Sequence, residues 1–405
     1  MALLARSSSV CSVLAFFLFA CGTAEGVEGE GVSSETSEDE GEGEEPGTIE
    51  SPVISQNETG DPGALEAQPL DVGDVRGFID VRGVGDSAWS GTHESPARAA
   101  EFGKALTSFD RTGTSYRGHL SFINWETVVG TTCSRWHAPY SRGKSYAFLS
   151  RPEALTQAYD AGFNLVGLSN NHSRDCYDDE GEIRSSKISV PAMESVSAGK
   201  NWLWHGVSAT EAGEKEVALG TFQIGGKSVK VAFGSGYTGR PTCPLATCKN
   251  ELDPLMRALA AADADLRILS LHSVGKTDQL ELARLGVRFV EEFGGDVVYG
   301  SGPHVWSRVQ IARKKNGKPG VVFESLGNFI HPGVGTQARN IIGRALFDEK
   351  TLELKQVQVI PVAGAGASLR FNTSANLADP TLVGNIRFTG AAAIKGGYVN
   401  VRQAP

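Results

Sequence analysis

The sequence has no apolar run long enough to cross a bilayer as a helix, which excludes a multi-span membrane protein. A membrane-spanning helix needs about 20 consecutive apolar residues, and the apolar stretch at residues 10–20, VCSVLAFFLFA, is only about half that length. This stretch follows a short start whose one charge is Arg6. A basic start and a short apolar run predict a cleavable signal peptide over residues 1–20.

The end of this leader predicts a lipid anchor. Ala20 precedes Cys21, and a small residue before a cysteine at this distance is typical of lipoprotein processing. We expect acyl chains on Cys21, and at least two chains would anchor the protein stably. Gly22, rather than Asp, fits sorting to an outer membrane if the organism has one. Ordinary secretion with cleavage near Cys21 is the alternative.

Positive charge is absent from the segment after the leader. Residues 22–50 contain eleven Asp and Glu residues and no Lys or Arg. Such a segment repels itself and has little apolar surface to bury, so residues 21–72 are expected to form an extended, disordered tether. Removing these eleven negative charges and the positive charge of Arg6 from the formal net charge of −9 leaves about +1. The remainder therefore has no overall basic character that would indicate nucleic-acid binding.

Cysteine is scarce and has no CxxC spacing, which argues against a zinc–thiolate site. Cys11 leaves with the leader and Cys21 is the anchor candidate. Four cysteines then remain: Cys133, Cys176, Cys243 and Cys248. An even number in an exported chain predicts two disulfides. Of the three possible connectivities we favour Cys243 with Cys248, across a loop that contains proline, and Cys133 with Cys176.

From about residue 73 the chain alternates short β-rich runs with amphipathic stretches. Strands are predicted at residues 75–84, 119–124, 164–168, 266–271, 296–299 and 321–325. Gly225-Gly226 predicts a tight hairpin turn between residues 217–224 and 228–233, and Pro254 is expected to open one of the helices. This order predicts an α/β domain at residues 73–362, with two mixed sheets packed together and helices outside. Residues 363–405 are expected to add strands or loop.

Five polar clusters follow the predicted strands, where ligands bind in open α/β sheets. The clusters are Gly85-Asp86, Asn124-Trp125-Glu126, Asn170-Asn171-His172 with Asp175, Leu271-His272 and Gly302-Pro303-His304. Their carboxylates, amide oxygen and imidazoles suit Mn, Fe, Zn or Co better than calcium. The strongest local signal is the pair Asn171 and His172, which offers a carbonyl ligand and a proton donor within one turn. An Asn-rich turn with a helix cap is the alternative.

In order and rough spacing, these clusters and the run Ser325-Leu326-Gly327-Asn328-Phe329 make residues 78–333 resemble a known family. The family is the CapA type of bacterial capsule and poly-γ-glutamate synthesis proteins, a branch of the calcineurin-like metallophosphoesterases. The resemblance implies a sandwich of two mixed sheets flanked by helices and a site for one or two divalent metals. It implies Asp86, Glu126, Asn171, His272 and His304 as metal ligands. His172 would be the general acid or oxyanion partner, and Asp175 would orient its imidazole.

The sequence departs from the family pattern at two places that bear on the metal count. Relatives often have Gly-His-x-Pro-His, whereas this chain has Gly300-Ser301-Gly302-Pro303-His304. Asp86-Ser87-Ala88 also lacks the histidine of the wider superfamily's first motif, so we expect a site with only one firmly held metal, or with a weak second one. His331 could compensate as a ligand or contact substrate, although a plain loop histidine is the simpler interpretation. Arg135 and Arg142 are weaker candidates for binding an anionic polymer.

Two functions are consistent with these motifs and with the two departures from the family pattern. The first is a metal-dependent, phosphoesterase-type hydrolase at the cell envelope, with capsule or poly-γ-glutamate synthesis or processing implied by the resemblance. The second is a non-catalytic envelope lipoprotein that binds or anchors an anionic polymer, and Ser301 in place of a family histidine favours it. In both, the expected partners are the membrane, through the lipid anchor, and an anionic envelope polymer or its precursor. No nucleic-acid partner is expected.

Overall fold

The computed structural model describes residues 75–91, 100–136, 147–177, 186–331, 339–364, 366–386, 389–390 and 397–400. The leader, Cys21, the acidic tether and Arg142 lie outside these residues, so the predictions made for them stay predictions. Within the described part of the chain, no helix is long and apolar enough to span a membrane.

The helices and strands alternate along most of the chain. The helices are α1 (Ala100–Phe109), α2 (Pro152–Asp160), α3 (Ser186–Ser197), α4 (Lys249–Ala261) and α5 (Gly275–Phe293). The strands are β1 (Phe78–Ser87), β2 (Ser90–Gly91), β3 (Leu120–Trp125), β4 (Val128–Val129), β5 (Arg135–Trp136), β6 (Leu149–Ser150), β7 (Leu165–Gly167), β8 (Cys176–Tyr177), β9 (Leu203–His205), β10 (Ala218–Ile224), β11 (Lys227–Tyr237), β12 (Leu266–His272), β13 (Val297–Ser301), β14 (Val309–Arg313), β15 (Pro319–Phe323), β16 (Asn340–Asp348), β17 (Leu354–Ala363), β18 (Arg370–Phe371), β19 (Thr389–Gly390) and β20 (Gly397–Asn400).

Two large sheets are both mixed, as the sequence predicts. The nine-stranded sheet has the order β19-β20-β17-β16-β1-β3-β7-β9, and β18 pairs with β17. Its strands β1, β3, β7 and β9 run parallel, whereas β1 is antiparallel to β16. The six-stranded sheet has the order β10-β11-β12-β13-β15-β14. It begins with the predicted antiparallel hairpin of β10 and β11 and continues with parallel strands to β15.

The two sheets pack face to face with helices on their outer sides. Alternate residues of a strand point to opposite faces, and one set from each sheet shares a core in which Phe122 stacks on Tyr299 with ring centroids 5.2 Å apart. The other set of the nine-stranded sheet packs against α1, α2 and α3. Helices α4 and α5 cover the six-stranded sheet. The predicted α/β sandwich of two mixed sheets flanked by helices is confirmed.

One predicted helix start is wrong. Pro254 does not open α4 but lies inside it, because the helix begins at Lys249. The side chain of Glu251 accepts a hydrogen bond from the backbone N–H of Cys248 at 3.2 Å, and this capping box starts the helix before the proline. Both cysteine pairs favoured by the sequence, Cys133–Cys176 and Cys243–Cys248, form disulfides in the structure.

Candidate metal centre

Parallel strands bring the predicted site residues to one edge of the sandwich. Asp86, near the end of β1, is in register with Asn124 in β3, and Glu126 follows β3 directly. In the other sheet, His272 ends β12 and pairs with Ser301 at the end of β13. The ligand atoms of Asp86, Glu126 and His272 all lie within 4.8 Å of one another. The site therefore forms where strand ends from the two sheets meet.

Asp86 is positioned where the end of strand β1 crosses close to the segment that contains Gly327 and Phe329. Its backbone N–H donates to the carbonyl of Gly327 at 2.9 Å, and the N–H of Phe329 donates to the carbonyl of Asp86 at 2.9 Å. A Cβ atom on Gly85 would lie 1.8 Å from the oxygen of Gly327, so this approach requires glycine at position 85. The crossing also brings Asn328 to the site, where its Oδ1 lies 2.7 Å from Nδ1 of His304.

Three imidazoles and two carboxylates alternate through the site in the order His304, Asp86, His272, Glu126, His331, which we call the histidine–carboxylate row. Oδ2 of Asp86 is 3.4 Å from Nδ1 of His304, and its Oδ1 is 3.6 Å from Nδ1 of His272. Oε1 of Glu126 is 3.4 Å from Nε2 of His272, and its Oε2 is 3.3 Å from Nε2 of His331. Both carboxylates are fully buried.

Three of these four separations, 3.3–3.4 Å, suit ligands of a shared cation better than hydrogen bonds. A charged N–H···O hydrogen bond is about 2.7–2.9 Å long, whereas two ligands about 2.1 Å from one ion stand roughly 3.0–3.4 Å apart. Three buried atoms at this edge of the sandwich also make no hydrogen bond among the described residues: Oδ1 of Asn124, Oδ1 of Asn171 and Nε2 of His272. Buried polar atoms normally have a partner. The donor set therefore fits a divalent cation.

Burial and charge give the row distinct protonation states. Burial raises the pKa of Glu126, but the contact with His331 and the nearby His272 and His304 outweigh it and hold the pKa below its usual range. Burial lowers the pKa of His272. Burial also lowers the pKa of His304, yet the contact with Asp86 and the charge of Glu126 raise it to about 9. Glu126 is thus anionic and His272 neutral at pH 7, and these are the protonation states that metal ligands need. At His304, a bound cation would replace a proton.

The family histidine is replaced by a serine that orients a neighbouring imidazole. Oγ of Ser301 lies 2.9 Å from Nδ1 of His272, and Nδ2 of Asn124 lies 3.3 Å from the same nitrogen. With Nδ1 held in this way, Nε2 of His272 faces Glu126. The next residue, Gly302, has a φ of 113° and donates its N–H to Oδ2 of Asp86 at 3.0 Å. A Cβ at Gly302 would lie 1.7 Å from the carbonyl oxygen of Ser273, so this backbone requires glycine there.

His172 and Asp175 form a pair beside the row. Asn171 opens a short 3-10 helix that ends at Arg174, and Nδ1 of His172 lies 2.7 Å from Oδ2 of Asp175. The same oxygen of Asp175 accepts the backbone N–H of Phe148 at 2.7 Å. Asn170 precedes this helix, makes no side-chain capping hydrogen bond, and donates its Nδ2 to the carbonyl of Trp125.

Phe148 connects this pair to the row, and Arg135 contacts Tyr177 in strand β8, which directly follows Asp175. The Phe148 ring centroid is 4.6 Å from that of His172 and 5.3 Å from that of His331. His331 is 2% exposed, so it is enclosed in the site rather than displayed on a loop surface. The guanidinium of Arg135 lies 4.3 Å from the ring centre of Tyr177, to which its strand β5 is tied through β8. Arg135 is thus placed by a cation–π contact.

Three supporting residues were absent from the predicted site. Asn124 holds Oδ1 of Asp86 at 2.8 Å, Asn328 contacts His304, and Ser301 contacts His272. The sequence contained a signal for each of the three. Asn124 ends a predicted strand, Asn328 lies in the run at 325–329, and Ser301 stands where relatives often have a histidine. From the motifs alone, the two asparagines indicate only a strand end and a turn, and Ser301 indicates only that a metal-binding histidine is missing. The side-chain roles of all three depend on contacts with distant parts of the chain.

These features define a class: an α/β sandwich whose meeting strand ends carry a buried carboxylate and histidine set suited to a divalent cation. The chain belongs to the family described as bacterial capsule synthesis protein PGA_cap, whose model matches residues 84–332. This range contains all five residues of the histidine–carboxylate row. The family resemblance drawn from the sequence motifs is confirmed.

Comparison with individual proteins gives more distant likenesses. The chain is 25% identical over 244 residues to the capsule biosynthesis protein CapA of Bacillus anthracis, and this match covers 56% of each chain. It therefore spans little more than half the length of that relative. A solved structure described as a novel phosphatase from Mycoplasma pneumoniae is 12% identical, with a TM-score of 0.43 and coverage of 71% of this chain and 95% of that chain. A hypothetical protein from Thermus thermophilus is 14% identical, with a TM-score of 0.40 and coverage of 71% and 100%.

Proposed function

We propose that the chain is a metal-dependent hydrolase of the phosphoesterase type that acts at the cell envelope on a capsule-type polymer or its phosphorylated precursor. The observation that carries this proposal is the histidine–carboxylate row, whose separations fit ligands of a divalent cation. Membership of a capsule synthesis family supports the polymer as the substrate class. The predicted leader and the lipid anchor at Cys21 support a location at the envelope.

Some side chains of the site would bind the cation, and others would keep these ligands in position. Asp86, Glu126 and His272 hold the cation, with His304 and Asn171 as further ligands. A bound divalent cation polarises a phosphoryl oxygen and lowers the pKa of water. Asn124, Ser301 and Gly302 keep the ligands in place, because each contacts the side chain of Asp86 or His272.

His172 is the proposed general acid. Asp175 accepts a hydrogen bond from its Nδ1 and thereby sets the ring orientation, so Nε2 of the doubly protonated imidazole is the nitrogen that delivers a proton to the leaving oxygen. Asp175 is in turn held by the N–H of Phe148. This fixed pair is the arrangement expected for an acid that must meet the substrate in one orientation.

The test measures metal content and phosphodiester hydrolysis on the full chain. After chelator treatment and reloading with Mn²⁺, we expect at least one bound ion by elemental analysis and hydrolysis of bis(p-nitrophenyl) phosphate. Asp86→Ala and His304→Ala should each lower the rate by about 100-fold or more, because each removes a ligand. Asp263→Ala is the matched control, since Asp263 is an exposed carboxylate paired with Lys230.

A second function is kept because Ser301 stands where family members often have histidine. In that role the chain binds or anchors an anionic polymer at the envelope without cleaving it. A chain that takes up no metal and stays inert with every added cation would support this binding role and contradict the hydrolase.

A further inference from the structure

Arg174 lies on the same side of its helix as a proposed metal ligand. It ends the short 3-10 helix that Asn171 opens. A 3-10 helix has about three residues per turn, so side chains three positions apart eclipse one another. His172 and Asp175 have this spacing, and their side chains meet at 2.7 Å. Arg174 is therefore placed next to Asn171 and beside the metal centre.

The buried Nε of Arg174 makes no hydrogen bond within the part of the chain that the structure describes. Burial lowers the pKa of Arg174, and the nearby charge of Arg240 lowers it further. Two tyrosines, Tyr177 and Tyr237, shift the pKa in the opposite direction. Arginine nonetheless stays protonated in proteins. A buried charged donor without an acceptor destabilises a folded chain, so the missing acceptor indicates a ligand.

Arg240 comes to the same edge of the sandwich from the other sheet. Strand β11 ends at Tyr237, which pairs with His272 at the end of β12, and the centroids of the two rings are 5.9 Å apart. Arg240 follows this strand end and is exposed. The N–H of Lys249 donates to the carbonyl of Arg240 at 3.0 Å, directly after the disulfide-bonded Cys248. The disulfide loop thus holds the backbone of Arg240 beside the end of β11.

The carbonyl of Thr247 joins the segments that carry the two arginines. It accepts hydrogen bonds from Oγ of Ser169 at 2.5 Å and from the N–H of Tyr237 at 3.0 Å. Ser169 leads into the helix of Arg174, and Tyr237 ends the strand before Arg240. Among the described residues, neither guanidinium forms an ion pair. The fold therefore brings two like charges together at the metal centre without a counter-charge.

From this geometry we propose that Arg174 and Arg240 bind an oxyanion of the substrate, a phosphate or carboxylate group separate from the one at the metal centre. The planar fork of arginine holds either group through two parallel hydrogen bonds. The inference rests on the proposed function, because the subsite serves the same substrate. It narrows that substrate to molecules with at least two neighbouring anionic groups, such as a polymer that carries charge on successive units.

Arginines with structural roles in this chain are bound differently. Nε of Arg344 donates to Oδ1 of Asp80 at 2.9 Å, and Nη2 of Arg267 donates to the carbonyl of Ala262 at 2.9 Å. Each of these guanidinium groups thus has an acceptor within the fold. The buried Nε of Arg174 has none among the described residues, which fits a donor kept for a ligand.

A binding experiment tests the subsite without metal and without hydrolysis. The metal-free full chain is titrated by calorimetry with inorganic phosphate and, separately, with acetate, and the tighter of the two shows which oxyanion the site prefers. We expect one phosphate per chain. Arg174→Gln should bind it about 10- to 100-fold more weakly, and Arg174→Lys should retain part of the affinity. Arg257→Gln is the matched control, since Arg257 is exposed and pairs with Asp253 at 2.8 Å.

A kinetic experiment asks whether the subsite serves the substrate. The Mn²⁺-loaded chain is assayed with propyl p-nitrophenyl phosphate and with its carboxypropyl and phosphonopropyl analogues, which add a second anion. We expect KM to be about 10-fold lower or more for an analogue with the second anion. Arg174→Gln and Arg240→Gln should each remove most of this difference and leave kcat and the KM of the propyl ester nearly unchanged.

The results that overturn the inference differ from those that overturn the proposed function. Equal phosphate affinity in the unaltered chain and Arg174→Gln would overturn the subsite, as would a KM that ignores the second anion while hydrolysis proceeds. An equal loss of kcat on all three esters with Arg174→Gln would make Arg174 a positioning residue for His172 instead. A chain that hydrolyses none of them, yet binds phosphate through Arg174, would contradict the hydrolase and keep the anion site. If circular dichroism shows that Arg174→Gln does not fold, the exposed Arg240→Gln carries both comparisons.

Discussion

Histidines in this chain differ in role because of the atoms that face them. His172 has a carboxylate at 2.7 Å, a hydrogen-bond distance, whereas the imidazoles of the row stand 3.3–3.6 Å from carboxylates. A short contact fixes a tautomer and an orientation. A longer one leaves room for an ion between the two groups. These distances agree with the roles we propose, proton transfer for His172 and metal binding for the histidines of the row.

Replacing His172 should slow turnover without emptying the site. We expect His172→Ala to lower kcat by about 100- to 10,000-fold, the usual contribution of a general acid, with metal content close to that of the unaltered chain. Steady-state kinetics and elemental analysis of the same samples check this, and His119→Gln, at a partly buried histidine outside the row, is the matched control. Loss of metal with His172→Ala would make His172 a ligand and contradict its assignment as the acid.

Strand β1 carries the site at one end and a cluster of buried charged side chains near its start. Asp80 accepts hydrogen bonds from Arg82 at 3.0 Å and from Arg344 of β16 at 2.9 Å. All three side chains are almost fully buried. Burial raises the pKa of Asp80, but the two guanidinium groups outweigh it and hold the pKa below its usual range. The cluster ties β1 to β16 in the register that also places Asp86.

Removing this carboxylate should destabilise the fold in a pH-dependent manner. We expect Asp80→Asn to lower the free energy of unfolding at pH 7 by about 3–5 kcal/mol, because two buried arginines lose their counter-charge. The folded-state pKa of Asp80 is lowered, so its contribution is present above the unfolded value of 3.8 and is lost as the pH falls through the folded value.

Urea unfolding of both proteins at pH 7 and at pH 3 measures this contribution. The difference between Asp80→Asn and the unaltered chain should shrink at pH 3, and Asp263→Asn should show little difference at either pH. A difference that is equally large at both values would mean that packing, rather than charge, explains the effect.

At the scale of the whole molecule, the proposed function requires the sandwich to reach a substrate at the envelope. Residues 22–50 carry eleven acidic side chains and follow Cys21. An acidic chain of this kind extends through self-repulsion. Such a tether would hold the metal centre away from a membrane to which Cys21 is attached.

The anchor can be tested by metabolic labelling with a clickable fatty acid. We expect label on the unaltered chain and its recovery with membranes, because two acyl chains bind stably. Cys21→Ser should carry no label and leave the membrane fraction. A Cys21→Ser chain that behaves like the unaltered chain in both assays would contradict lipidation at this residue.

Local patterns in the sequence determined much of the architecture and the donor types. The hairpin at Gly225-Gly226 followed from its glycines, and the apolar run at residues 75–84 predicted most of strand β1, which is Phe78–Ser87 in the structure. The start of α4 was missed, because a capping box that uses the Cys248 backbone is less visible in sequence than Pro254. Periodicity and turn chemistry act over a few residues, so they predict elements better than their ends.

The tertiary structure alone decided how distant donors combine. Asp86 and Gly302 are 216 positions apart, yet a hydrogen bond joins them because ends of β1 and β13 from different sheets meet. His331 has no local pattern that sets it beside Glu126, and only the crossing of its segment over β1 does so. Which loop residues enclose a site depends on long-range sheet packing and on close approaches such as that at Gly85. The sequence by itself thus determined the types of donor side chain, and the fold determined which of them meet.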